Sequence, residues 1–170
     1  NLEKHIQNVQ QFGLPAVVAI NAFTADTSEE IALIKERCEA LGVQVVLSEH
    51  WAHGGAGAEG LARELVETID EHKADFKPIY DWNLPVPEKI EAVATRIYGA
   101  EGVDFSREAK RDLRRINKLG LEHLPVCIAK TQYSFSDDPK QVGIPDPFRL
   151  QVREIEIAAG AGLLIPITGT

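Results

Sequence analysis

Two stretches decide the fold: Pro15-Ala16-Val17-Val18-Ala19-Ile20-Asn21-Ala22-Phe23 and Gly42-Val43-Gln44-Val45-Val46-Leu47-Ser48-Glu49-His50-Trp51. Ala16 to Ile20 and Val43 to Leu47 are short apolar runs, the pattern of strands buried on both faces of a parallel sheet. Between them, Thr27 or Ser28 is placed to cap a helix whose first turn holds Glu29 and Glu30. That helix runs to about Leu41 and stops at Gly42. Upstream, Leu2 to Phe12 reads as the end of an amphipathic helix closed by Gly13, with Pro15 behind it. Downstream, Gly54, Gly55 and Gly57 form a loop, and a further helix spans about Ala58 to Lys73. Strand, helix, strand, helix is a βαβα unit with a parallel sheet. The predicted class is therefore α/β: three layers, a mainly parallel sheet flanked by helices.

Past residue 80 the pattern changes. Pro78, Pro85 and Pro87, with Tyr80 and Trp82, mark an extended connection. A helix is expected from Pro87 to about Tyr98, then a brief extended piece from Gly102 to Phe105. Ser106 caps a basic helix that ends near Leu119 and Gly120. Pro125 to Ala129 reads as a third buried strand, and Lys130 to Pro147 as a long polar loop. Phe148 to Ile157 alternates in part, as a half-exposed strand does, and Leu163 to Ile167 is the last strand. The chain thus divides into a βαβα unit over residues 1–80 and a C-terminal α+β portion over residues 81–170. It begins at Asn1 inside a helical pattern and stops at Thr170 beyond an apolar run, which reads as a fragment.

Composition narrows the functional classes. The chain has 170 residues and a formal net charge of −8, with a pI near 5.1. Nucleic-acid binding needs a basic footprint that this balance denies. No apolar run reaches the ~18 residues of a membrane span, and residues 1–11 do not resemble a signal peptide. Cys38 and Cys127 read as reduced, buried thiols, which points to the cytoplasm.

In open parallel sheets ligands bind beyond the carboxyl ends of the strands. Two segments leave those ends: Asn21-Ala22-Phe23-Thr24 and Ser48-Glu49-His50-Trp51. If the strands are adjacent, Phe23 and Trp51 face one another across a gap that takes a flat heteroaromatic ring. The alternative is that both are core or lid residues, since aromatics bury so much area. His53-Gly54-Gly55-Ala56-Gly57 precedes a helix but lacks the Lys-Ser or Lys-Thr of a phosphate loop. His50 and His53 lack the further ligands a metal needs, so no metal site is expected. Lys130 to Asp138 is the densest polar stretch and leaves the third strand, so it is expected on the same rim. Lys130 suits a phosphate there; Gln132, Tyr133 and Ser134 suit a base or a pterin. The helix after Ser106 carries Lys110, Arg111, Arg114, Arg115 and Lys118, of which Arg111, Arg115 and Lys118 share a face: either a solvated face or a patch for an anionic tail.

Several motifs together resemble one family. Gly13-Leu14-Pro15-Ala16-Val17-Val18-Ala19-Ile20-Asn21 resembles the strand-and-Asn segment of formate–tetrahydrofolate ligases. Asp26-Thr27 fits, as do Trp51-Ala52-His53-Gly54-Gly55, Ile97-Tyr98-Gly99-Ala100, and Pro125 through Ser134 with its Lys-Thr-Gln-Tyr-Ser. Val152-Arg153-Glu154 and Ala159-Gly160-Ala161-Gly162 complete the run, so the resemblance covers essentially the whole chain.

The resemblance implies a folate-binding C-terminal region of an ATP-dependent ligase. In such an enzyme ATP, with Mg2+, phosphorylates formate, and N10 of tetrahydrofolate attacks the formyl phosphate to give 10-formyltetrahydrofolate. It implies no tightly bound cofactor, a cytoplasmic homo-oligomer, and as partners the small-molecule substrates and the remaining N-terminal part of the same enzyme. Phe23 and Trp51 look like the family pair that sandwiches the folate ring. Leu47 and Tyr133 look like family neighbours of the nucleotide or folate, and the polar-loop reading adds Lys130, Gln132 and Ser134 to that vicinity. The family's phosphate-binding glycine loop belongs to an N-terminal domain and has no match here, so the chain alone is expected to lack ligase activity. Two positions depart from the family pattern: Ala22 stands where Arg is usual, and Thr24 where Pro is usual.

Two rivals share parts of this pattern. A buried strand ending in Asn21 with Asp26 beyond it resembles the base-recognition corner of P-loop GTPases, but the phosphate loop and the Lys after the Asn are missing. A non-catalytic folate-binding or assembly module would use the same Phe23 and Trp51.

Overall fold

The computed structural model describes residues 1–71, 74–128, 135, 140, 143 and 147–169. The chain is mixed α/β and divides into two compact units, Leu2–Lys77 and Pro78–Thr170. Among the described residues the strands form two separate sheets rather than one.

The first unit runs α1 (Leu2–Gln11), β1 (Val17–Asn21), α2 (Ser28–Ala40), β2 (Gln44–Ser48), α3 (His50–His53), a 3-10 turn (Gly54–Ala58) and α4 (Glu59–Glu71). β1 and β2 are parallel, with Val18 opposite Val45 and Asn21 opposite Ser48. Side chains alternate across a strand, so Ala16, Val18, Val43 and Val45 share one face. They pack there with Ile6 of α1 and with Ile34 and Cys38 of α2. On the other face a methyl group of Val46 lies 3.5 Å from where a Cβ on Gly60 of α4 would sit. Helix, sheet and helix make three layers.

Local sequence sets the helix ends. Thr27 and Glu30 form a reciprocal capping box at the start of α2, and the Thr27 backbone N–H holds the Glu30 carboxyl below its usual range. Gly13 follows α1 at φ +70°, and a side chain there would strike the Asp75 carbonyl. The Asp75 N–H donates to Gly13 O at 3.0 Å, and Phe76 stacks on Phe12 with centroids 6.0 Å apart.

The strands are not buried on both faces as their composition suggests. Ile20 is buried, but Ala19 is exposed and Leu47 retains 39% of its surface. In a two-stranded sheet each strand is also an edge, so burial falls short of that of an interior strand.

The second unit runs α5 (Val86–Arg96), β3 (Gly102–Phe105), α6 (Arg107–Lys118), β4 (Arg149–Ala158), a 3-10 turn (Ala159–Ala161) and β5 (Leu163–Thr168). The strand order is β3-β4-β5; β3 and β4 are parallel, β4 and β5 antiparallel. Val86, Ile90, Ala109, Ile116, Val152 and Leu164 form much of its core. Lys89 is fully buried; its ammonium donates to the carbonyls of Glu122 (2.7 Å) and Leu124 (3.1 Å), and burial pushes its pKa down. A register shift between Val152 and Glu154 switches the inward positions of β4 from Leu150 and Val152 to Ile155. That shift explains why the alternation in its sequence is only partial.

Over its described residues, 125–128, the expected third strand makes a single parallel bridge, Val126 to Leu164. Cys127 N–H and Pro125 O bond Leu164, while Val126 N–H donates to the Tyr80 hydroxyl at 3.1 Å. A side chain thus occupies the edge where a further strand would pair. Cys127, expected to be buried, is exposed; Cys38 is buried, and its thiol is pushed up by desolvation and by nearby Glu3. Residues 129–134 lie outside the described residues.

Arg149 grips Asp104 across the β3–β4 pair, with Nη2 to Oδ1 at 3.0 Å, and Gln151 adds a bond of 3.0 Å. The Arg149 and Gln151 hydrogen bonds hold the Asp104 carboxyl below 3.8. A carboxyl whose folded pKa lies below its unfolded value stabilises above the unfolded value and loses that contribution as pH falls through the folded one. Asp104→Asn should therefore lose less stability than the parent between about pH 5 and about pH 2.5. Urea midpoints at the two pH values check this.

Candidate functional site

The carboxyl ends of β1 and β2 carry an exposed aromatic pair. Ala22 continues the ladder by one step, its N–H donating to Ser48 O at 3.0 Å. Phe23 then leaves the strand. Its N–H donates to Asp26 Oδ2 at 2.7 Å, and Asp26 N–H returns to Phe23 O at 3.0 Å. Both backbone polar groups of Phe23 are thereby tied to one residue, and the capping box of α2 begins at the next.

Trp51 reaches the same place from β2. Ser48 is buried, and its Oγ lies 3.1 Å from His50 Nδ1. Glu49 precedes α3 and its carbonyl accepts from Ala52 and His53, each at 3.0 Å. The Glu49 N–H donates to Gly57 O at 3.0 Å, which folds the 3-10 turn back onto the start of α3. A Cβ at Gly57 would lie 2.5 Å from Glu49 O and 2.8 Å from His50 N. Only glycine permits this approach. The Trp51 indole Nε1 donates to Ala22 O, so the ring is anchored to the backbone that launches Phe23.

The two rings stack with centroids 5.6 Å apart and planes 17° from parallel. Phe23 is 53% exposed and Trp51 49% exposed. They are neither core residues nor an open slot. A flat ring held between two others needs about 7 Å between the outer planes, two contacts of ~3.5 Å each. The pair is closed upon itself, and a guest ring must part it by more than an ångström.

Leu47, opposite Ile20 in the register, is exposed just before Ser48. His50 and His53 are the two ends of α3, and the 3-10 turn follows where Gly54, Gly55 and Gly57 read as a loop. Lys130, Gln132, Tyr133 and Ser134 lie outside the described residues. Sequence reasoning passed over the roles of Ala22, Asp26 and Gly57. An Asp three residues after an exposed aromatic was the available signal for Asp26; the contacts of Ala22 and Gly57 are tertiary and leave no local mark.

Gly57→Ala should displace α3 and separate the rings, whereas Gly55→Ala, with open space around it, should not. The ring-current shifts of the Phe23 protons in NMR spectra report the difference. Unchanged shifts in Gly57→Ala would contradict the packing described.

The family model for formate–tetrahydrofolate ligase matches residues 1–170. It spans both units, including the strand ends, the aromatic pair and the mixed sheet of the second unit. The chain belongs to the formate–tetrahydrofolate ligase family.

Proposed function

We propose that the Phe23–Trp51 pair is the folate-stacking site of an ATP-dependent formate–tetrahydrofolate ligase, and that it opens to admit the pterin-like ring. The family's reaction is the ligation of formate to tetrahydrofolate in one-carbon metabolism. The observation that carries the reading is an exposed, nearly parallel aromatic pair at the carboxyl ends of adjacent parallel strands. No packing need explains two rings left half in water.

Magnitudes favour insertion. Parting the pair gives up one aromatic contact, about 0.5–1.5 kcal/mol. A flat heteroaromatic gains one contact on each side, each about 1–3 kcal/mol by analogy with base stacking. Two new contacts outweigh one lost. The anchor of Trp51 on Ala22 O and the turn fixing Phe23 keep both rings facing while they separate.

The role of this site is positioning. In the proposed reaction formate is activated as formyl phosphate, and N10 of the stacked folate attacks its carbonyl. Holding the ring system in one orientation turns that attack into an effectively unimolecular step. Leu47, Lys130, Gln132, Tyr133 and Ser134 are proposed as further contacts to folate or nucleotide. Ala22 is buried, so any anion contact that family members make through Arg at that position falls to another residue here. Assembly as a homo-oligomer and a cytoplasmic location belong to the same reading. Among the described residues no helix is long and apolar enough to cross a membrane.

Calorimetric titration of tetrahydrofolate tests the site. Trp51→Ala should weaken binding by roughly tenfold to a hundredfold, the equivalent of 1–3 kcal/mol. Phe23→Ala should weaken it to a similar degree. Affinities equal to the parent in both variants would overturn the reading.

A further inference from the structure

A second feature lies in the unit that begins at Pro78. A cavity of about 630 Å3 is lined by Ser106, Arg107, Glu108, Arg111, Arg114 and Arg153. Four guanidiniums meet a single carboxylate there, on a chain whose net charge is −8. Glu108 pairs with Arg111. Among the described residues Arg153 approaches only its own neighbour, Glu154, at 3.9 Å. Among the described residues Arg107 and Arg114 have no ion-pair partner.

The fold gathers these residues from two elements. Arg107, Arg111 and Arg114 are spaced i, i+4, i+7 and share one face of α6. Arg153 comes from β4. The Ser106 hydroxyl joins the two: it accepts from Ala109 N–H at 3.0 Å as the cap of α6 and donates to the Arg153 carbonyl. The basic face expected from sequence, Arg111 with Arg115 and Lys118, is a different one; Arg115 and Lys118 do not line the cavity.

Like charges brought together without counter-charge repel, and solvated surface arginines ordinarily scatter or pair. Arg107 lies in the first turn of α6, where the backbone adds partial positive charge, and Arg111 and Arg114 follow it on the same face. Guanidinium forks match oxyanions in a bidentate manner.

We propose that this cavity binds a multivalent oxyanion, a polyphosphate or a polycarboxylate, through Arg107, Arg111, Arg114 and Arg153. The inference is independent of the Phe23–Trp51 reading, because the two sites lie in different units.

Calorimetry at low salt on the full chain tests it, with inorganic tripolyphosphate and tricarballylate as separate probes. Three proteins are compared: the parent, Arg107→Gln/Arg114→Gln, and Lys110→Gln/Lys118→Gln. The last removes equal charge from the same helix outside the cavity. All four side chains are exposed, so folding is retained. Saturable one-to-one binding is expected for at least one probe, weakened at least tenfold in the arginine variant and less than twofold in the lysine variant. Binding of tripolyphosphate alone assigns the site to phosphate compounds, and of tricarballylate alone to carboxylates. Absence of saturable binding by both probes, or equal weakening in both variants, would overturn the proposal.

Discussion

The Ala22 peptide is held from two directions. Its N–H donates to the carbonyl of Ser48, and its own carbonyl accepts from the Trp51 indole. The first bond is the last rung of the β1–β2 ladder. The second fixes a side chain from β2's exit to the backbone of β1's exit. Together they set the height and the tilt at which Phe23 and Trp51 meet. Without the first the two exits would not align; without the second the indole would be free to rotate about an exposed helix of four residues. Ala22 is itself buried, and its small side chain lets the indole approach.

That arrangement needs supports at both ends, and each is short and local. Asp26 ties the backbone of Phe23 in a tight turn and passes directly into the Thr27–Glu30 capping box. Gly57 allows the 3-10 turn to close on Glu49. The pair is therefore rigidly launched but lightly packed, with about half of each ring in water. This combination suits a clamp: the backbone is fixed, and the rings can part for less energy than a guest ring returns.

Much of this architecture was legible in the sequence, for identifiable reasons. The capping signals at Thr27 and Ser106 and the glycine after α1 act within a few residues, so local reading finds them. The parallel βαβ pattern puts Phe23 and Trp51 at the carboxyl ends of two strands, and the β1–β2 pairing makes those ends neighbours. What was missed depends on distant contacts. Pro125 to Ala129 has the composition of a strand, yet its described residues 125–128 make one bridge, to Leu164, and the Tyr80 hydroxyl takes the Val126 N–H on the other edge. Gly54 to Gly57 reads as a loop, yet with the Glu49–Gly57 hydrogen bond it forms a 3-10 turn behind the short helix His50–His53. Apolar strands were read as interior ones, and a two-stranded sheet leaves them partly exposed. The closure of the ring pair is of the same kind, because it depends on how two side chains from distant strand exits meet, one of them anchored 29 positions away.

The central claim is that the closed pair opens around a flat ring. A crystal structure of the chain with tetrahydrofolate bound tests it most directly. The account predicts the pterin-like ring between Phe23 and Trp51, with the flanking planes about 7 Å apart and the Trp51–Ala22 hydrogen bond retained. Folate bound elsewhere while the centroids remain 5.6 Å apart would contradict it.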